Sequence, residues 1–390
     1  MNILHIANSY GGTEVYTRLF SELDASQGCE QQVFVPLNSR NHDRVGKKPV
    51  PFSVEGSALH YSTRLKWWHK FLYRRKIAVM TKALEEQIDL AKVDVVHAHM
   101  LCSDGAVAYE LFRRSGKPYV VTVRNTDLND YYRLFPWERN YFAAILDSAA
   151  RIVFLSPKYR RKLAAYCQGK ALRDKVLHHS SVIPSGIAPV FLQRRHAHGD
   201  SPHVPAKLVF AGAFYPGKGL KETIVATDIL REKGVAVELT AVGRGLAQRV
   251  NDRRYISLVE DMAEKRPWVH LKDSMPHGEL VEELRAGDVF VMPSAPESFG
   301  LVYVEALSQG LPLVYTKGEG FDGYYGEGEV GWAADPKNPA EIADKIGRIL
   351  ADYAGFARRV GALDLERDFS WPRVAGKFKR LYDETLEGEK

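Results

Sequence analysis

The sequence has few cysteines and no long apolar run. Three of its 390 residues are cysteine, Cys29, Cys102 and Cys167. Their odd number and wide spacing form no disulfide framework or paired-cysteine metal motif, which favours a reducing compartment such as the cytoplasm. No apolar run reaches the ~18 residues of a spanning helix, so we expect a soluble protein. The apolar start, residues 1–7, is too short and uncharged for a signal peptide and reads as a first strand.

Length and composition predict an ordinary globular protein with two domains. The chain is 45% hydrophobic and 26% charged, as in soluble proteins, and it is too long for one core. Charge is unevenly distributed, because residues 1–190 carry 27 Lys and Arg against 17 Asp and Glu, and residues 191–390 carry 27 against 31. The basic first half therefore indicates an anionic partner.

Strand and helix patterns alternate in both halves, which predicts parallel sheets with helices on both faces. Predicted strands of the first half cover residues 2–7, 32–35, 93–98, 119–123 and 151–155. Those of the second half cover residues 207–213, 237–243, 269–271, 289–292 and 311–315. A polar stretch rich in Gly, Pro and His lies between the halves without periodicity. We therefore expect a first domain at 1–190, a linker at 191–205 and a second domain at 206–370.

Two glutamates, Glu297 and Glu305, lie eight positions apart in the segment 293–310, PSAPESFGLVYVEALSQG. Residues 288–292 before it read as a buried parallel strand, which places Glu297 in the following loop and Glu305 on the next helix. There Glu305 can accept hydrogen bonds from ribose hydroxyls, and Glu297 can reach a hexose hydroxyl. The alternative is that Glu305 is a solvated helix residue and Glu297 an acid favoured by the helix dipole.

The turn between the two glutamates predicts an anion site. Phe299, Gly300 and Leu301 open the helix, and the free amides of a helix N-terminus commonly bind phosphate. Gly300 lets the backbone approach the anion without an intervening side chain. Glu305 lies one turn beyond Leu301 and therefore on the same helix face.

This segment resembles the E-x7-E motif of the retaining nucleotide-sugar glycosyltransferases of family 4. The resemblance implies the GT-B fold, with two Rossmann-like, doubly wound parallel-sheet domains facing a cleft and a C-terminal helix, residues 371–390, crossing back to the first domain. It implies that the first domain binds the acceptor and the second the donor. It further implies no metal and no cofactor, with a nucleoside-diphosphate sugar, foremost a UDP-sugar, as co-substrate.

A second phosphate element follows the first strand of the second half. Residues 212–219, GAFYPGKG, place Lys218 at a predicted helix start, where a lysine can reach a diphosphate. The segment resembles the family's G-R-x4-K-G motif, with Ala213 at the arginine position. Arg244, in a turn at 242–245 that resembles the family's V-G-x-G, is a candidate for the missing cation. A solvated lysine and a plain glycine turn are the alternatives.

The first half carries two further matches. Gly11 and Gly12 follow the first strand and resemble the family's G-G-x-E loop, which faces the donor diphosphate and the acceptor. Arg124 stands where the family's T-x-H motif has a histidine beside the reacting sugar. An arginine cannot act as a base at neutral pH, but it can pair with a phosphate or an anionic acceptor.

His97 and His99 alternate on one face of a predicted strand and suggest a metal site. No cysteine or clustered carboxylate completes a ligand set, and the family needs no metal. We therefore expect none, and a polar role for His99 in lining the cleft is the alternative.

Residues 64–76, RLKWWHKFLYRRK, hold six Lys and Arg and four aromatic residues without an acid. A helix of this composition suits an anionic membrane surface. A basic helix packed into its own domain is the alternative. Basic-aromatic runs also bind nucleic acid, but the other motifs bind a nucleotide sugar, so we expect no nucleic-acid partner.

The resemblance, together with these residues, implies a retaining, metal-independent hexosyltransferase. It would move a hexosyl group from a nucleoside-diphosphate sugar to a saccharide or lipid-linked acceptor, in bacterial cell-surface polysaccharide assembly. Lys218, the amides of residues 299–301 and Arg124 would stabilise the leaving diphosphate, while Glu297 positions the sugar. We expect a cytoplasmic protein with peripheral attachment to the inner face of the membrane. A GT-B-fold sugar-nucleotide epimerase and a non-catalytic module for anionic glycolipids are the alternatives.

Overall fold

The computed structural model describes residues 1–245 and 250–388. The chain divides into two compact units, and the first joins Met1–Gly186 to the C-terminal segment that begins at Trp371. The second unit is Ile187–Ser370. Residues 191–205, expected to be a linker, belong to the second unit, where the amide of His196 donates a 3.0 Å hydrogen bond to a carbonyl of that unit.

The first unit contains a seven-stranded parallel sheet in the order β3-β2-β1-β4-β5-β6-β7. Its strands are β1 Asn2–Ile6, β2 Glu30–Asn38, β3 Ala58–Leu65, β4 Val95–Ala98, β5 Tyr119–Val123, β6 Arg151–Phe154 and β7 Ser180–Val182. Two apolar clusters pack against this sheet. Side chains of β1 alternate between them, because Leu4 and Ile6 belong to one cluster and Ile3 belongs to the other. Both faces of the sheet are therefore covered, as continuous apolar strands require.

The helices of the first unit include one from the end of the chain. They are α1 Val15–Gln27, α2 Tyr73–Glu85, α3 Asp104–Ser115, α4 Tyr132–Leu134, α5 Arg139–Ser148, α6 Pro157–Tyr166, α7 Lys170–His178 and the C-terminal Trp371–Glu387. Phe378 and Tyr382 of the C-terminal helix lie in the same apolar cluster as Leu19 and Phe20 of α1. The C-terminal helix therefore completes the core of the first unit.

The second unit contains a six-stranded parallel sheet in the order β10-β9-β8-β11-β12-β13. Its strands are β8 Ala206–Ala211, β9 Val237–Arg244, β10 Val269–Asp273, β11 Val289–Val291, β12 Leu313–Thr316 and β13 Gly331–Ala334. Its helices are α8 Pro189–Gln193, α9 Leu220–Glu232, α10 Val250–Glu264, α11 His277–Arg285, α12 Leu301–Ser308, α13 Pro339–Ala351, α14 Tyr353–Gly361 and α15 Leu365–Phe369. Each sheet has the alternating strand-helix order of a Rossmann-like domain, as predicted.

Three edge or near-edge strands escaped prediction, and one predicted helix is wrong. Strands β3, β7 and β13 were missed because their sequences are polar, short or rich in small residues. The predicted helix at 64–76 is instead the end of β3, a 3-10 helix at Trp67–Phe71 and the first turn of α2. It breaks at Leu72, whose backbone is not helical (φ −113°, ψ 74°).

Among the described helices, none combines the length and apolarity needed to cross a bilayer.

Candidate active site

The three phosphate motifs of the second unit lie at the carboxyl ends of its three neighbouring central strands. The end of β9 and the loops after β8 and β11 carry them, and these strands are adjacent in the sheet. These segments contact each other: a Cβ on Gly243, at the end of β9, would lie 2.1 Å from the carbonyl oxygen of Gly212, which follows β8. A Cβ on Gly219 would lie 2.5 Å from the carbonyl oxygen of Pro293. Glycine is thus required at both positions by backbone contact.

Lys218 and Glu297 form an ion pair that the sequence did not predict. The Nζ of Lys218 lies 2.6 Å from Oε2 of Glu297, and both side chains are largely buried. Ser294 donates its hydroxyl to the same carboxylate at 3.1 Å, and the amide of Ser298 donates to Oε1 at 3.1 Å. Burial works to lower the pKa of Lys218, but the charge and hydrogen bond of Glu297 outweigh it, so this pKa is raised. The lysine is therefore a full cation held in a fixed position.

The start of helix α12 lies where the sequence predicts it. Gly300 caps the helix with φ 82°, and the helix begins at Leu301. In the part of the chain that the structure describes, the amides of Phe299, Gly300 and Leu301 donate no hydrogen bond. The ring of Phe299 is buried in an aromatic cluster with Phe321, so a contact from Phe299 to a ligand would come through its backbone.

Glu305 lies one turn along α12 and is almost fully buried. Only 8% of the residue is exposed. Burial raises the pKa of its carboxyl group to about 7. Among residues 1–245 and 250–388 no side chain or amide donates a hydrogen bond to this carboxylate. Buried polar groups normally have partners, and an unpartnered acid with a shifted pKa marks a candidate binding residue.

Arg244, the candidate substitute for the missing cation at Ala213, is already paired. Its Nε lies 2.6 Å from Asp273, and its guanidinium also approaches Glu260 at 3.5 Å. Two carboxylates neutralise it in this structure. Arg244 therefore has two acidic partners, whereas Lys218 has one, Glu297.

Gly11 and Gly12 form a 3-10 turn, Tyr10–Gly12, between β1 and α1. A Cβ on Gly11 would lie 2.9 Å from Cδ of Arg44. Both glycines line a cavity of ≈ 280 Å³ together with polar side chains, among them Asn8 and Asn38. The predicted G-G loop therefore borders an open polar space in the first unit.

Arg124 follows β5 and is held by the backbone around it. Its Nε donates to the carbonyl of His99 at 2.9 Å, and its amide donates to Asp127 at 2.8 Å. The guanidinium lies 5.0 Å from the ring centre of Tyr16. No ion pair with a carboxylate engages the Arg124 side chain within the described chain. Its charge therefore remains open to an anion.

Two buried carboxylates near Arg124 were missed by the sequence reasoning. Asp127 accepts hydrogen bonds from the amides of Leu101, Cys102 and Arg124. Burial raises the pKa of Asp104 to about 7, and this carboxylate accepts from the amide of Asn8 at 3.3 Å. Asp104 begins the helix that follows β4, and Asp127 lies in the segment that follows β5, so a position beyond the carboxyl end of a strand was the available signal for both.

His97 and His99 lie in a buried cluster with His5. The ring nitrogens of the three residues lie within 4.8 Å of one another and could offer three metal ligands. Both nitrogens of His97 are already hydrogen bonded, to Tyr382 at 2.7 Å and Thr122 at 2.8 Å. Burial lowers the pKa of each histidine. The cluster therefore holds neutral rings in the core, and His99 is buried instead of lining a cleft.

Two family models together match most of the chain. Residues 10–189 match the model described as Glycosyltransferase Family 4, and residues 193–362 match Glycosyl transferases group 1. D-inositol 3-phosphate glycosyltransferase of Paenarthrobacter aurescens is 27% identical over 98% of this chain and 95% of its own length. A glycogen synthase of Mycobacterium tuberculosis is 30% identical over 48% of this chain and 44% of its own.

Solved structures show the same fold. Sucrose-phosphate synthase from Thermosynechococcus elongatus superposes with a TM-score of 0.74 at 19% identity, covering 100% of both chains. Anabaena HepE, solved in complex with UDP and glucose, superposes with a TM-score of 0.65 at 15% identity, covering 98% of this chain and 99% of its own.

Proposed function

The chain belongs to the family 4 glycosyltransferases and has their GT-B fold, and we propose that it moves a hexosyl group, with retention, from a nucleoside-diphosphate sugar to a saccharide or lipid-linked acceptor. The second unit binds the donor and the first the acceptor. HepE was solved with UDP and glucose, which supports a UDP-sugar donor. The transferase names of the relatives favour neither an epimerase nor a non-catalytic module. A role in cell-surface polysaccharide assembly stays a prediction from the resemblance.

The Lys218–Glu297 pair beside the helix α12 amides carries this proposal. Departure of the diphosphate leaves negative charge on its oxygens, and a fixed cation next to free amides stabilises that charge without reorganisation. Glu297 orients the hexose through its hydroxyls, and Glu305 accepts from the ribose. The mechanism derived from these residues requires no metal: the cation and the amides supply the electrostatic stabilisation.

Glu305→Ala should weaken nucleotide-sugar binding by ~1–3 kcal/mol, because ribose hydroxyls would lose their acceptor in a buried site. Titration calorimetry on the folded variant measures the change. Glu279→Ala, which removes an exposed glutamate of α11 in the same unit, is the matched control. An unchanged affinity for the Glu305 variant would contradict the ribose assignment.

The same residue predicts a pH dependence of binding. The carboxyl pKa of Glu305 is about 7 without ligand, and hydroxyl donors lower it because they stabilise the ionised form. Donor binding then releases a proton below pH 7, and affinity falls by up to ~10-fold per pH unit as the pH drops. A nucleotide sugar is the proper probe, since a terminal phosphate would itself titrate at about 6. Glu305→Gln should bind more weakly and independently of pH. A parallel pH slope in this variant would exclude Glu305 as the titrating group.

An exposed apolar patch on the first unit supports attachment to an anionic membrane. Five large apolar side chains in the segments 67–72 and 134–137 are each 46–71% exposed: Trp67, Phe71, Leu72, Leu134 and Trp137. Its two segments adjoin, because Phe71 and Trp137 line one surface cavity. The sequence alone did not indicate the second segment, at 134–137, because it is separated from the first by about 60 residues of chain.

Cations surround the apolar patch, although fewer than the sequence indicates. Arg74 is paired with Glu138, and Arg64 with Glu86. Lys70 lies 4.7 Å from the ring centre of Phe71 and remains beside the patch. Aromatic rings among basic side chains suit the headgroup region of an anionic leaflet.

Phe71→Ser combined with Trp137→Ser should abolish binding to phosphatidylcholine vesicles that contain phosphatidylglycerol, and Arg75→Ser should weaken it by ~1 kcal/mol. Cosedimentation at low and high salt measures both effects. Leu258→Ser removes a side chain of similar exposure, 43%, from the second unit and should bind normally. Equal binding to neutral vesicles, or a wild-type dimer in sedimentation velocity that the double variant loses, would contradict membrane docking.

A further inference from the structure

A basic cavity of ≈ 180 Å³ lies at the carboxyl ends of β1, β2 and β3 in the first unit. Asn8 follows β1, Asn38 ends β2 and Lys66 follows β3, so three neighbouring strands build one wall. The cavity lining holds four cations and no carboxylate: Arg40, Lys66, Lys70 and Lys76. Its volume is below the ~300–1,000 Å³ of sites for drug-sized ligands, which indicates a small charged group.

The four cations of the basic cavity lack the ion pairs that neighbouring cations have. Within the described residues, none of them contacts a carboxylate as a salt bridge, whereas Arg64 and Arg74 nearby are both paired. The guanidinium of Arg40 stacks on Trp67 at 4.9 Å, an arrangement that fixes its position and leaves its charge uncompensated. Arg40, Lys66 and Lys70 are exposed and Lys76 is half-buried. An anion in the cavity would reduce the repulsion among these four cations.

Lys76 forms the inner wall of the basic cavity. Its Nζ lies 3.0 Å from the phenol oxygen of Tyr131 and makes a hydrogen bond with it. Its buried ammonium group also interacts with the carboxyl group of Asp104, and burial raises the pKa of Asp104 to about 7. Lys76 therefore presents a positive charge that its surroundings neutralise only in part.

A polar cavity of ≈ 280 Å³ adjoins the basic cavity and shares Asn8 and Asn38 with it. The loop of Gly11 and Gly12 borders this second space, and Asn41 adds another amide. Side-chain amides both donate and accept hydrogen bonds, as a ring of sugar hydroxyls requires. The lining of this second cavity includes one charged side chain, Arg44. A mostly polar space thus lies directly beside a strongly basic one.

We propose that the acceptor is a phosphorylated saccharide, with its phosphate in the basic cavity and its sugar ring in the polar cavity. This inference rests on the proposed function, because it names the class of acceptor for the same reaction. A phosphate carries up to two charges and several acceptor oxygens, which matches a cavity lined by four cations better than a single carboxylate does. The phosphate belongs either to a soluble sugar phosphate or to a lipid headgroup.

Binding to the full-length protein tests the inference. The probes are glucose 6-phosphate, glucose, glucuronate and a short-chain phosphatidic acid below its micelle concentration, at matched ionic strength. Excess uridine diphosphate fills the phosphate site of the second unit. Arg40→Gln and Lys70→Gln each remove one cation from the basic cavity. Lys82→Gln removes an exposed lysine of α2 outside it and is the matched control.

Glucose 6-phosphate or phosphatidic acid should bind more tightly than glucose and glucuronate, and each cavity variant should raise its Kd by about tenfold. Lys82→Gln should bind like the wild type. The probe whose affinity falls in Arg40→Gln shows whether the phosphate belongs to a soluble sugar phosphate or to a lipid headgroup. Phosphate affinities that are unchanged in both cavity variants, or equal affinity for glucose, would overturn the inference.

The same titrations separate this inference from the proposed function. If uridine diphosphate does not bind but Arg40→Gln and Lys70→Gln still weaken binding of the phosphate probe, the donor assignment is contradicted and the phosphate site in the basic cavity is supported. If uridine diphosphate binds normally but neither cavity variant changes the Kd of the phosphate probe, the proposal of a phosphorylated acceptor is contradicted. The transferase proposal is then unaffected.

Discussion

Glu297→Gln should lower the turnover of hexosyl transfer by at least ~100-fold, the loss expected when a reacting group is misplaced by about 1 Å. Glu297 accepts from Lys218, Ser294 and Ser298, so its carboxylate is fixed where it can hold the hexose. Glutamine keeps the shape of this side chain and removes its charge. Nucleoside diphosphate should still bind, and more tightly, because Lys218 is released from its partner.

Steady-state kinetics and calorimetry with nucleoside diphosphate measure the two effects of Glu297→Gln separately. Glu279→Gln, on an exposed position of α11, is the control for loss of one acidic charge. A variant that loses nucleotide binding and turnover together would show that Glu297 contacts the nucleotide and not the sugar.

Lys218→Met should lower turnover by ~10²–10³-fold, the range found when a donor to a developing anion is removed. It should also destabilise the fold, because the largely buried Glu297 would keep its charge without an opposite charge beside it. Combining Lys218→Met with Glu297→Gln removes both charges and should restore stability without restoring turnover. This double variant separates the catalytic effect from the structural one.

Thermal unfolding and single-turnover kinetics on the single and double variants test the role of Lys218. Lys221→Met, an exposed lysine one turn further on in α9, should behave like the wild type. Full turnover in the stable double variant would exclude Lys218 from stabilising the leaving group.

Local sequence patterns were sufficient to predict both parallel sheets and the positions of the loops after β8 and β11. Continuous apolar runs such as 119–123 identify buried strands, and the glycines of 212–219 identify a loop after one. The motifs follow adjacent strands, which explains why residues distant in sequence meet. Neither the ion pair of Lys218 with Glu297, separated by 79 positions, nor the buried environment of Glu305 can be read from spacing alone.

Features built from several segments of the first unit were not predictable in the same way. The basic cavity combines Arg40 with Lys66 and Lys70, and the missed strand β3 is what brings these segments together. Residues 64–76 were predicted to form one helix because their composition indicates charge and aromatic content. It does not indicate that the backbone leaves the helical conformation at Leu72. Ion pairs such as Arg74 with Glu138 depend on tertiary contacts. The number of cations counted in residues 64–76 therefore exceeds the number that lack an acidic partner in the structure.

Thermal stability of the wild type and Glu305→Ala across a panel of nucleotide sugars tests the central claim most directly, since a ligand that binds only the folded state stabilises it by mass action. At least one nucleotide sugar should stabilise the wild type, by ~2.7 kcal/mol at 100 times its Kd. Glu305→Ala should lose most of that gain at the same concentration. Stabilisation of neither protein by any nucleotide sugar, or equal stabilisation of both, would contradict donor binding at the start of helix α12.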